Sequence, residues 1–323
     1  MQIIPTRGRI RYSWRGVLHI LTTCEDTDSK KRLYRILYVH AKKVFQYCTE
    51  MAALKFLTSE QKQFWEENGY IKLTNVYSSK EINEISDAYN DLFERKRREN
   101  LAGLESAWVG EEMKKAAGYI DYTVKSIHNL QMHSAVFTRT ITHPNLLDAL
   151  EDIMDTPDIL LHHTKAHVKP PEKGAPYLMH QDYHYFPHKK HTMLAVFLHL
   201  DDTTPENGGL AVYPGSHKLG PLTDHGLTDE KGDQYHYVNP EEYPLSKAIP
   251  VSAKKGDIIV FSYLLLHGSY LNLSSKSRRM FLMQVRAADD EPTKDVHKSH
   301  CQGLVLRGRN VYREATMASR FSH

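Results

Sequence analysis

Residues 255–269 read KGDIIVFSYLLLHGS and contain the most apolar stretch of the chain, Ile258–Leu266. A stretch of this length is about half of what a helix needs to cross a membrane. A Gly-Asp turn precedes it, and a histidine and a glycine follow it. We therefore interpret Ile258–Leu266 as a buried β-strand that ends beside His267.

Similar apolar runs, separated by turn residues, recur after Asp158. They are Ile159–Val168, Met193–Leu200, Leu210–Tyr213 and Met280–Val285. Before that point the pattern is helical. Helices are predicted after capping boxes at Thr58 and Ser78 and after His143-Pro144, and a strand is predicted over Tyr70–Asn75. Helices first and strands later predict an α+β fold, in which helices from the N-terminal half flank a β-sandwich or a double-stranded β-helix (jelly-roll) core.

The composition is typical of a folded globular protein. Of 323 residues, 41% are hydrophobic and 25% are charged, and 42 basic against 39 acidic residues give a net charge of +3. This balance is too small to indicate a nucleic-acid partner. The three cysteines include no CxxC pair, which argues against both a disulfide framework and a thiolate zinc site.

The basic charge is concentrated near the N-terminus. Residues 1–52 contain ten Lys and Arg against four Asp and Glu, which leaves +6 in this segment and −3 in the rest of the chain. We interpret residues 1–52 as a basic leader or extension outside the core. Residues 53–323 are then expected to form a single domain.

Three residues have the side chains and the placement of metal ligands. His180 and Asp182 open a strand-like stretch, where residues two apart project to the same face and can bind one ion together. His267 is the third candidate. Two imidazoles and one carboxylate on one face of an ion leave the opposite positions open, which is the ligand set of non-haem Fe(II) oxygenases. A hydrogen-bonded histidine beside an acid is the alternative interpretation of the first pair.

Arg278 lies eleven residues after His267, before the run Met280–Val285. We expect the intervening turn to form a hairpin that returns Arg278 towards the metal. A guanidinium there can bind the distal carboxylate of a dicarboxylate in a bidentate pair. Because neighbours on a strand alternate faces, only one of Arg278 and Arg279 can point inward, and we predict that it is Arg278. A surface cation is the alternative.

These residues stand within a longer series of motifs. The series is HQDYHYFP at 180–187, ENGGL at 206–210, PGSHK at 214–218, LHGS at 266–269, Asn272 and Arg278. It resembles the phytanoyl-CoA dioxygenase family of Fe(II)- and 2-oxoglutarate-dependent oxygenases, over residues 57–288. Its first motif is more similar to the phytanoyl-CoA enzymes than to the bacterial osmolyte hydroxylases of the same family.

The resemblance implies a role for each candidate residue. His180, Asp182 and His267 would bind Fe(II), and Arg278 would bind the C5 carboxylate of 2-oxoglutarate. Residues 53–323 would form one 2-oxoglutarate oxygenase domain. Dioxygen is implied as the second cosubstrate and ascorbate as a candidate reductant.

Two further positions are implied in the cosubstrate pocket. Ser269 and Lys125 match residues that hold 2-oxoglutarate in the family, although a solvated lysine is the alternative for Lys125. The family's phytanoyl-CoA enzyme has a tryptophan on the strand that matches Met193–Leu200, and this sequence has none there. The pocket is therefore expected to differ in shape.

The implied reaction is hydroxylation at carbon 2 of phytanoyl-CoA or a related branched acyl-CoA, in fatty-acid α-oxidation, with release of succinate and CO2. Alternatives are a hydroxylase of another small molecule and a non-catalytic binding protein on the same fold. A zinc hydrolase with the same ligands would lack an HExxH base and would leave Arg278 without a role.

The implied partner is a small molecule, an acyl-CoA. The sequence predicts no membrane span. One sequence does not determine the oligomeric state. Lys189 and Lys190 are interpreted as a solvated charge pair in preference to a CoA phosphate site. The resemblance implies a peroxisomal location, and the Arg-rich leader leaves mitochondrial and cytoplasmic locations as alternatives.

Overall fold

The computed structural model of the chain describes residues 54–98, 105–106, 125–171, 176–228, 234–296 and 298–311. The predicted leader, residues 1–52, lies outside these ranges. The α-helices are α1 Ser59–Asn68, α2 Ser79–Arg98, α3 Ala135–Ile141 and α4 Pro144–Met154. The strands are β1 Tyr70–Leu73, β2 Glu105–Ser106, β3 Lys125–His128, β4 Ile159–Lys169, β5 Tyr177–His180, β6 Leu194–His199, β7 Leu210–Val212, β8 Leu227–Thr228, β9 Gln234–Tyr235, β10 Ile249–Val251, β11 Ile258–Ser262, β12 His267–Ser269, β13 Arg278–Ala287 and β14 Val305–Arg307.

The first helices begin where local capping chemistry predicts. The Thr58 hydroxyl accepts the backbone N–H of Gln61 at 3.2 Å, and the Gln61 side chain accepts the N–H of Thr58 at 2.9 Å. Ser78 and Glu81 make the same reciprocal pair before α2. Gly69, with φ 76°, ends α1 in the left-handed conformation that glycine adopts most readily. Each of these signals acts over three or four residues.

The short helix α3 was not predicted from the sequence. It has seven residues and begins after Ser134, whose side chain accepts the N–H of Val136. Two turns are too few for a helical periodicity to stand out. Tertiary packing stabilises it instead, since Phe137 contacts Phe281 of β13 with ring centroids 5.7 Å apart.

Twelve of the described strands form two antiparallel sheets, β8 and β9 pair with each other in a separate two-stranded sheet, and the predicted jelly-roll core is confirmed. The larger sheet has the order β1-β11-β6-β13-β4-β3-β2, with β14 paired to β4, and the smaller sheet has the order β10-β7-β12-β5. Apolar residues of both sheets meet in one buried cluster, as in other sandwiches. The cluster comprises Ala195, Leu210, Val212, Val251, Ala253, Ile259, Phe261 and Leu265.

Helices cover the outer face of the larger sheet. The Tyr89 hydroxyl of α2 donates to the backbone oxygens of His167 at 2.7 Å and Met280 at 3.2 Å. Phe281, which contacts α3, points to the same side. Because side chains alternate along a strand, the residues of β13 next to Phe281 face the smaller sheet and the space between the sheets.

The prediction of one continuous strand over Ile258–Leu266 was wrong in its second half. Strand β11 ends at Ser262, a turn follows in which the Leu265 N–H donates to the Ser262 oxygen at 2.8 Å, and β12 begins at His267 in the other sheet. The apolar residues after Ser262 are buried in a crossing between sheets, which periodicity alone does not distinguish from a strand.

Candidate metal centre and cosubstrate pocket

The three predicted metal ligands converge between the two sheets. His180 ends β5, Asp182 follows it, and His267 begins β12, directly opposite His180 in the register. All three are buried, and one ligand atom from each lies within 4.8 Å of the others. The Asp182 Oδ1 atom is 3.6 Å from the His180 Nε2 atom and 3.8 Å from the His267 Nε2 atom. This spacing leaves room for one ion between the three atoms.

Both imidazoles are oriented by a backbone carbonyl two residues earlier. The His180 Nδ1 atom lies 2.8 Å from the Leu178 oxygen, and the His267 Nδ1 atom lies 3.0 Å from the Leu265 oxygen. A carbonyl can only accept, so Nδ1 carries the proton in each ring. The Nε2 lone pairs are therefore directed at the shared space, which is the tautomer that binds a metal.

The protonation of the group also fits a divalent cation. Burial alone would raise the pKa of Asp182, but the imidazoles of His267 and His180 and a 2.7 Å hydrogen bond from Gln284 outweigh burial, and the pKa is lowered. Burial and the neighbouring His180 lower the pKa of His267 to about 4. At neutral pH the site presents a carboxylate and neutral imidazole, the donor set expected for Fe(II).

Asp182 reaches the site by a different route from the predicted one. Strand β5 ends at His180, and Asp182 begins a 3₁₀ helix over Asp182–His184. The two side chains converge because the backbone turns after Gln181, and the alternation of a strand is not the cause. The Gln181 side chain supports this turn by donating to the Leu264 oxygen at 2.6 Å.

Arg278 faces the same cavity as the three ligands, but the predicted hairpin is wrong. Strand β12 belongs to the smaller sheet and β13 to the larger. The loop between them is organised by the buried Asn272, whose side chain donates to the oxygens of Pro170 at 3.0 Å and Lys276 at 2.8 Å. The hairpin was expected because the two segments are close in sequence, yet jelly-roll topology assigns them to opposite walls.

The guanidinium of Arg278 is buried and charged. Its exposed fraction is 5%, and burial lowers the pKa of Arg278 only to about 10, so the group keeps its proton at neutral pH. The adjacent Arg279 points the other way and contacts Asp201 at 2.6 Å. Among the contacts of the described residues, Arg278 has one side-chain partner, the Met280 sulfur at 3.7 Å. A buried cation in this setting fits an anionic ligand.

Lys169 contacts Ser269 behind the cavity wall, and sequence reasoning missed it. It lies opposite Arg278 in the register of β4 and β13 and is only 1% exposed. Its Nζ atom donates to the Ser269 hydroxyl at 2.7 Å and to the Tyr270 oxygen at 2.6 Å. Burial and then the charge of Arg278 lower the pKa of Lys169 well below its usual value. The hydroxyl of Ser269, a predicted cosubstrate residue, is therefore hydrogen-bonded to Lys169. In the sequence, Lys169 is an ordinary lysine at the end of a strand, and nothing there indicates this contact.

Two other expectations concern the edges of the pocket. The backbone of Lys125 lies in β3 opposite Val168, whereas its neighbour Ser126 lies opposite His167, which lines the cavity. The side chain of Lys125 lies outside the described residues. Phe197 lines the cavity on the strand where the sequence lacks the expected tryptophan, so a phenylalanine ring faces the cavity from this strand.

Lys189 and Lys190 lie outside the cavity and are exposed. The Lys189 Nζ atom is 2.5 Å from a carboxylate oxygen of Glu291, and Lys190 pairs with Asp289. These contacts agree with the interpretation of the two lysines as a solvated charge pair. Surface pairs of this kind contribute little to stability.

Comparison with known proteins places this geometry in a family. The profile described as "Phytanoyl-CoA dioxygenase (PhyH)" matches residues 65–280. The chain belongs to the phytanoyl-CoA dioxygenase family. It is 30% identical to the peroxisomal phytanoyl-CoA dioxygenase of Bos taurus over 245 residues, which cover 73% of this chain and 69% of that protein. The chain is therefore an Fe(II)- and 2-oxoglutarate-dependent dioxygenase that uses O2 as a cosubstrate.

The chain is also similar to proteins whose described activities differ from that of the bovine protein. The chain is 26% identical to a probable α-ketoglutarate-dependent hypophosphite dioxygenase of Stutzerimonas stutzeri, over 78% of this chain and 87% of that protein. The solved structure of SnoK, a non-haem α-ketoglutarate-dependent carbocyclase of nogalamycin biosynthesis, shares the fold with a TM-score of 0.59 at 20% identity, over 79% of this chain and 95% of SnoK.

None of the described helices is long and apolar enough to span a membrane.

Proposed function

We propose that His180, Asp182 and His267 bind the Fe(II) of this dioxygenase and that Arg278 binds the C5 carboxylate of 2-oxoglutarate. The observation that carries the proposal is the pair of oriented imidazoles beside a buried carboxylate, facing a buried guanidinium across one cavity. Bound iron and 2-oxoglutarate supply oxidative decarboxylation to succinate and CO2, coupled to hydroxylation of the substrate.

The residues of this chain supply position and shielding. Ser269, held by Lys169, supports the cosubstrate from the smaller sheet, and Lys125 is proposed as a further contact. The carbonyl-bound imidazoles would present their Nε2 atoms to the ion, and the hydrogen bond from Gln284 to one Asp182 oxygen would leave the other oxygen to bind it. Burial of the whole group excludes water from the reacting atoms.

For the substrate, we propose hydroxylation at carbon 2 of phytanoyl-CoA or a related branched acyl-CoA, in fatty-acid α-oxidation. Three observations support this: the similarity to the bovine phytanoyl-CoA dioxygenase, the HQDYHYFP motif, and apolar cavity residues such as Phe186, Phe197 and Leu282. A peroxisomal location and a leader over residues 1–52 belong to the same proposal, with residues 53–323 as the catalytic domain.

A second candidate is a small anionic substrate. It is supported by Lys165, a buried cation that also lines the cavity, and by the relative described as acting on hypophosphite. In this candidate the iron and cosubstrate sites are unchanged, and only the molecule presented to them differs.

Succinate formation tests both parts of the proposal. The purified chain is loaded anaerobically with Fe(II), given 2-oxoglutarate and air, and assayed with and without phytanoyl-CoA. We expect phytanoyl-CoA to stimulate succinate formation, with one 2-hydroxylated product for each succinate. Slow succinate formation without stimulation would retain the oxygenase and exclude this substrate, and absence of succinate with iron bound would contradict the proposed activity.

A further inference from the structure

Tyr177 carries a buried hydroxyl to which no described residue is hydrogen-bonded. Two other buried tyrosines differ from it. The hydroxyl of Tyr77 donates to the Thr140 oxygen at 2.8 Å, and that of Tyr89 donates to the His167 oxygen at 2.7 Å. A buried hydroxyl without a partner is costly, so the hydroxyl of Tyr177 fits a site in which its partner is a ligand.

Tyr177 lies on the smaller sheet beside the candidate cosubstrate and metal residues. It begins β5 and is opposite Ser269 of β12 in the register. Directly opposite residues of an antiparallel pair project to the same face, and both side chains line the cavity. The ring centroid of Tyr177 is 6.2 Å from that of His180. Tyr177 is therefore close to the ion site and next to a predicted cosubstrate residue.

The larger sheet brings Arg278 to the same end of the cavity. Arg278 lies opposite Lys169 in the register of β13 and β4, and the Lys169 Nζ atom is 5.5 Å from the centre of the Tyr177 ring. Burial raises the pKa of Tyr177, and the positive charge of Arg278 opposes this increase. The hydroxyl therefore keeps its proton at neutral pH and can act as a donor near the guanidinium.

A carboxylate bound at this end needs more hydrogen-bond donors than Arg278 supplies. A carboxylate has about four lone-pair sites, and a bidentate guanidinium occupies two of them. A buried anion is stable only when its remaining sites are also hydrogen-bonded. The Ser269 hydroxyl accepts from Lys169 at 2.7 Å, which leaves its own proton to donate. The Tyr177 hydroxyl is the further donor that completes the set.

We infer that Tyr177 is a specificity-determining residue that donates a hydrogen bond to the C5 carboxylate of 2-oxoglutarate. The inference rests on the proposed 2-oxoglutarate site at Arg278 and adds a neutral donor to it. Tyr177 then favours a 2-oxo acid with a distal carboxylate over one that ends in a methyl group. Because the hydroxyl has no partner among the described residues, it contributes to ligand binding and not to the stability of the unliganded fold.

The test compares 2-oxoglutarate with 2-oxopentanoate, which has the same chain length and lacks the distal carboxylate. Binding of each to the full chain loaded with Fe(II) is measured by anaerobic calorimetry. We expect Tyr177→Phe to weaken 2-oxoglutarate binding by about tenfold, the size of one hydrogen bond to a charged group, and to leave 2-oxopentanoate binding unchanged. Tyr213→Phe is the matched control, because the Tyr213 hydroxyl donates to the Pro244 oxygen at 2.8 Å and Tyr213 is not among the described residues that line the cavity.

Thermal unfolding gives a second readout that a structural role for the hydroxyl would not reproduce. Without 2-oxoglutarate, Tyr177→Phe is expected to unfold at the wild-type temperature or above it, because no described residue loses a hydrogen bond. With 2-oxoglutarate, the increase in unfolding temperature is expected to be smaller than in the wild-type protein. Tyr213→Phe is expected to show the reverse, a lower unfolding temperature and an unchanged increase with the ligand.

Equal affinity for 2-oxoglutarate in Tyr177→Phe and the wild-type protein would overturn the inference. An equal loss for both 2-oxo acids would also overturn it, because the hydroxyl would then act on the part of the ligand that the two share. Arg278→Met distinguishes this failure from failure of the proposed cosubstrate site. If Arg278→Met weakens 2-oxoglutarate binding and Tyr177→Phe does not, only the role of Tyr177 is wrong. If neither variant changes it, or the wild-type protein binds no 2-oxoglutarate, both are wrong.

Discussion

The two walls of the cavity are built on different principles. On the smaller sheet, each candidate metal-binding imidazole is oriented by a backbone carbonyl two residues before it in the chain. On the larger sheet, the cations are aligned by register between β4 and β13, and Lys169 meets Ser269 across 100 residues of sequence. We call the smaller-sheet side with His180, Asp182 and His267 the metal wall, and the larger-sheet side with Arg278 and Lys169 the cation wall. The metal wall depends on local hydrogen bonds, whereas the cation wall depends on correct pairing of distant strands.

The largest effect is expected on the metal wall, from Asp182→Ala. The variant removes the one carboxylate of the candidate ligand set, so we expect loss of Fe(II) binding and of measurable succinate formation. Iron content after anaerobic loading and succinate assays measure the two losses. Asp91→Ala, at an exposed acid of α2 paired with Arg95, is the control. Retained iron and turnover in Asp182→Ala would remove the basis of the proposed site.

The next effect tests the bond that joins the walls, from Gln284 on β13 to Asp182. Gln284→Met keeps the side-chain length and removes the 2.7 Å hydrogen bond. Loss of such an outer contact typically lowers metal affinity by about 10–100-fold, so we expect a fall of that size in Fe(II) affinity, measured by titration. Gln63→Met, at an exposed position of α1, is the control. An unchanged Fe(II) affinity in Gln284→Met would show that contacts within the metal wall are sufficient to orient Asp182.

On the cation wall, Arg278→Met is expected to raise the KM for 2-oxoglutarate. One charge-assisted pair is lost, worth about 1.5–3 kcal/mol, which corresponds to about a 10–150-fold change. Arg278→Lys is expected to recover only part of it, because an ammonium cannot form the bidentate pair. The comparison is with Arg279→Met, on the outer face. Equal KM values in the two methionine variants would exclude Arg278 from the cosubstrate site.

The smallest effect is expected from Lys169→Met, which acts through Ser269. The variant removes the 2.7 Å bond that orients the Ser269 hydroxyl, and we expect a rise of severalfold in the KM for 2-oxoglutarate with iron affinity unchanged. Stability is also expected to fall, by about 1–3 kcal/mol, because the Ser269 hydroxyl and the Tyr270 oxygen lose a buried hydrogen-bond donor. Thermal unfolding and succinate kinetics separate the two effects, and a change in iron affinity would contradict this role.

The sequence predicted the residues of the metal wall more completely than those of the cation wall. His180, Asp182 and His267 were selected from short motifs, and the structure brings them together. The route to Asp182 was predicted incorrectly because a strand was extended past its last paired residue. Arg278 was placed on the right side of its strand by alternation, but the hairpin expected to deliver it does not exist.

Lys169 shows why the rest of the pocket was not predictable. At the end of a strand and before two prolines, a lysine is usually solvated, whereas Lys169 contacts Tyr177, Ser269 and Tyr270, which are distant in the sequence. Register between distant strands depends on which faces are buried and on how loops close. The same argument applies to Lys165, which lines the cavity and lies opposite Leu282 in the register of β4 and β13.

The sequence by itself determined the local parts of this protein: the capping boxes that start the helices, the apolar runs that become strands, and the motif series that identifies an iron- and 2-oxoglutarate-dependent oxygenase. Only the tertiary structure decided which strand joined which sheet, and hence that β12 and β13 face each other across a cavity. The physical reason is the sequence separation over which each interaction acts. Caps and alternation act between residues a few positions apart, whereas sheet membership is chosen by the burial free energy of the whole sandwich.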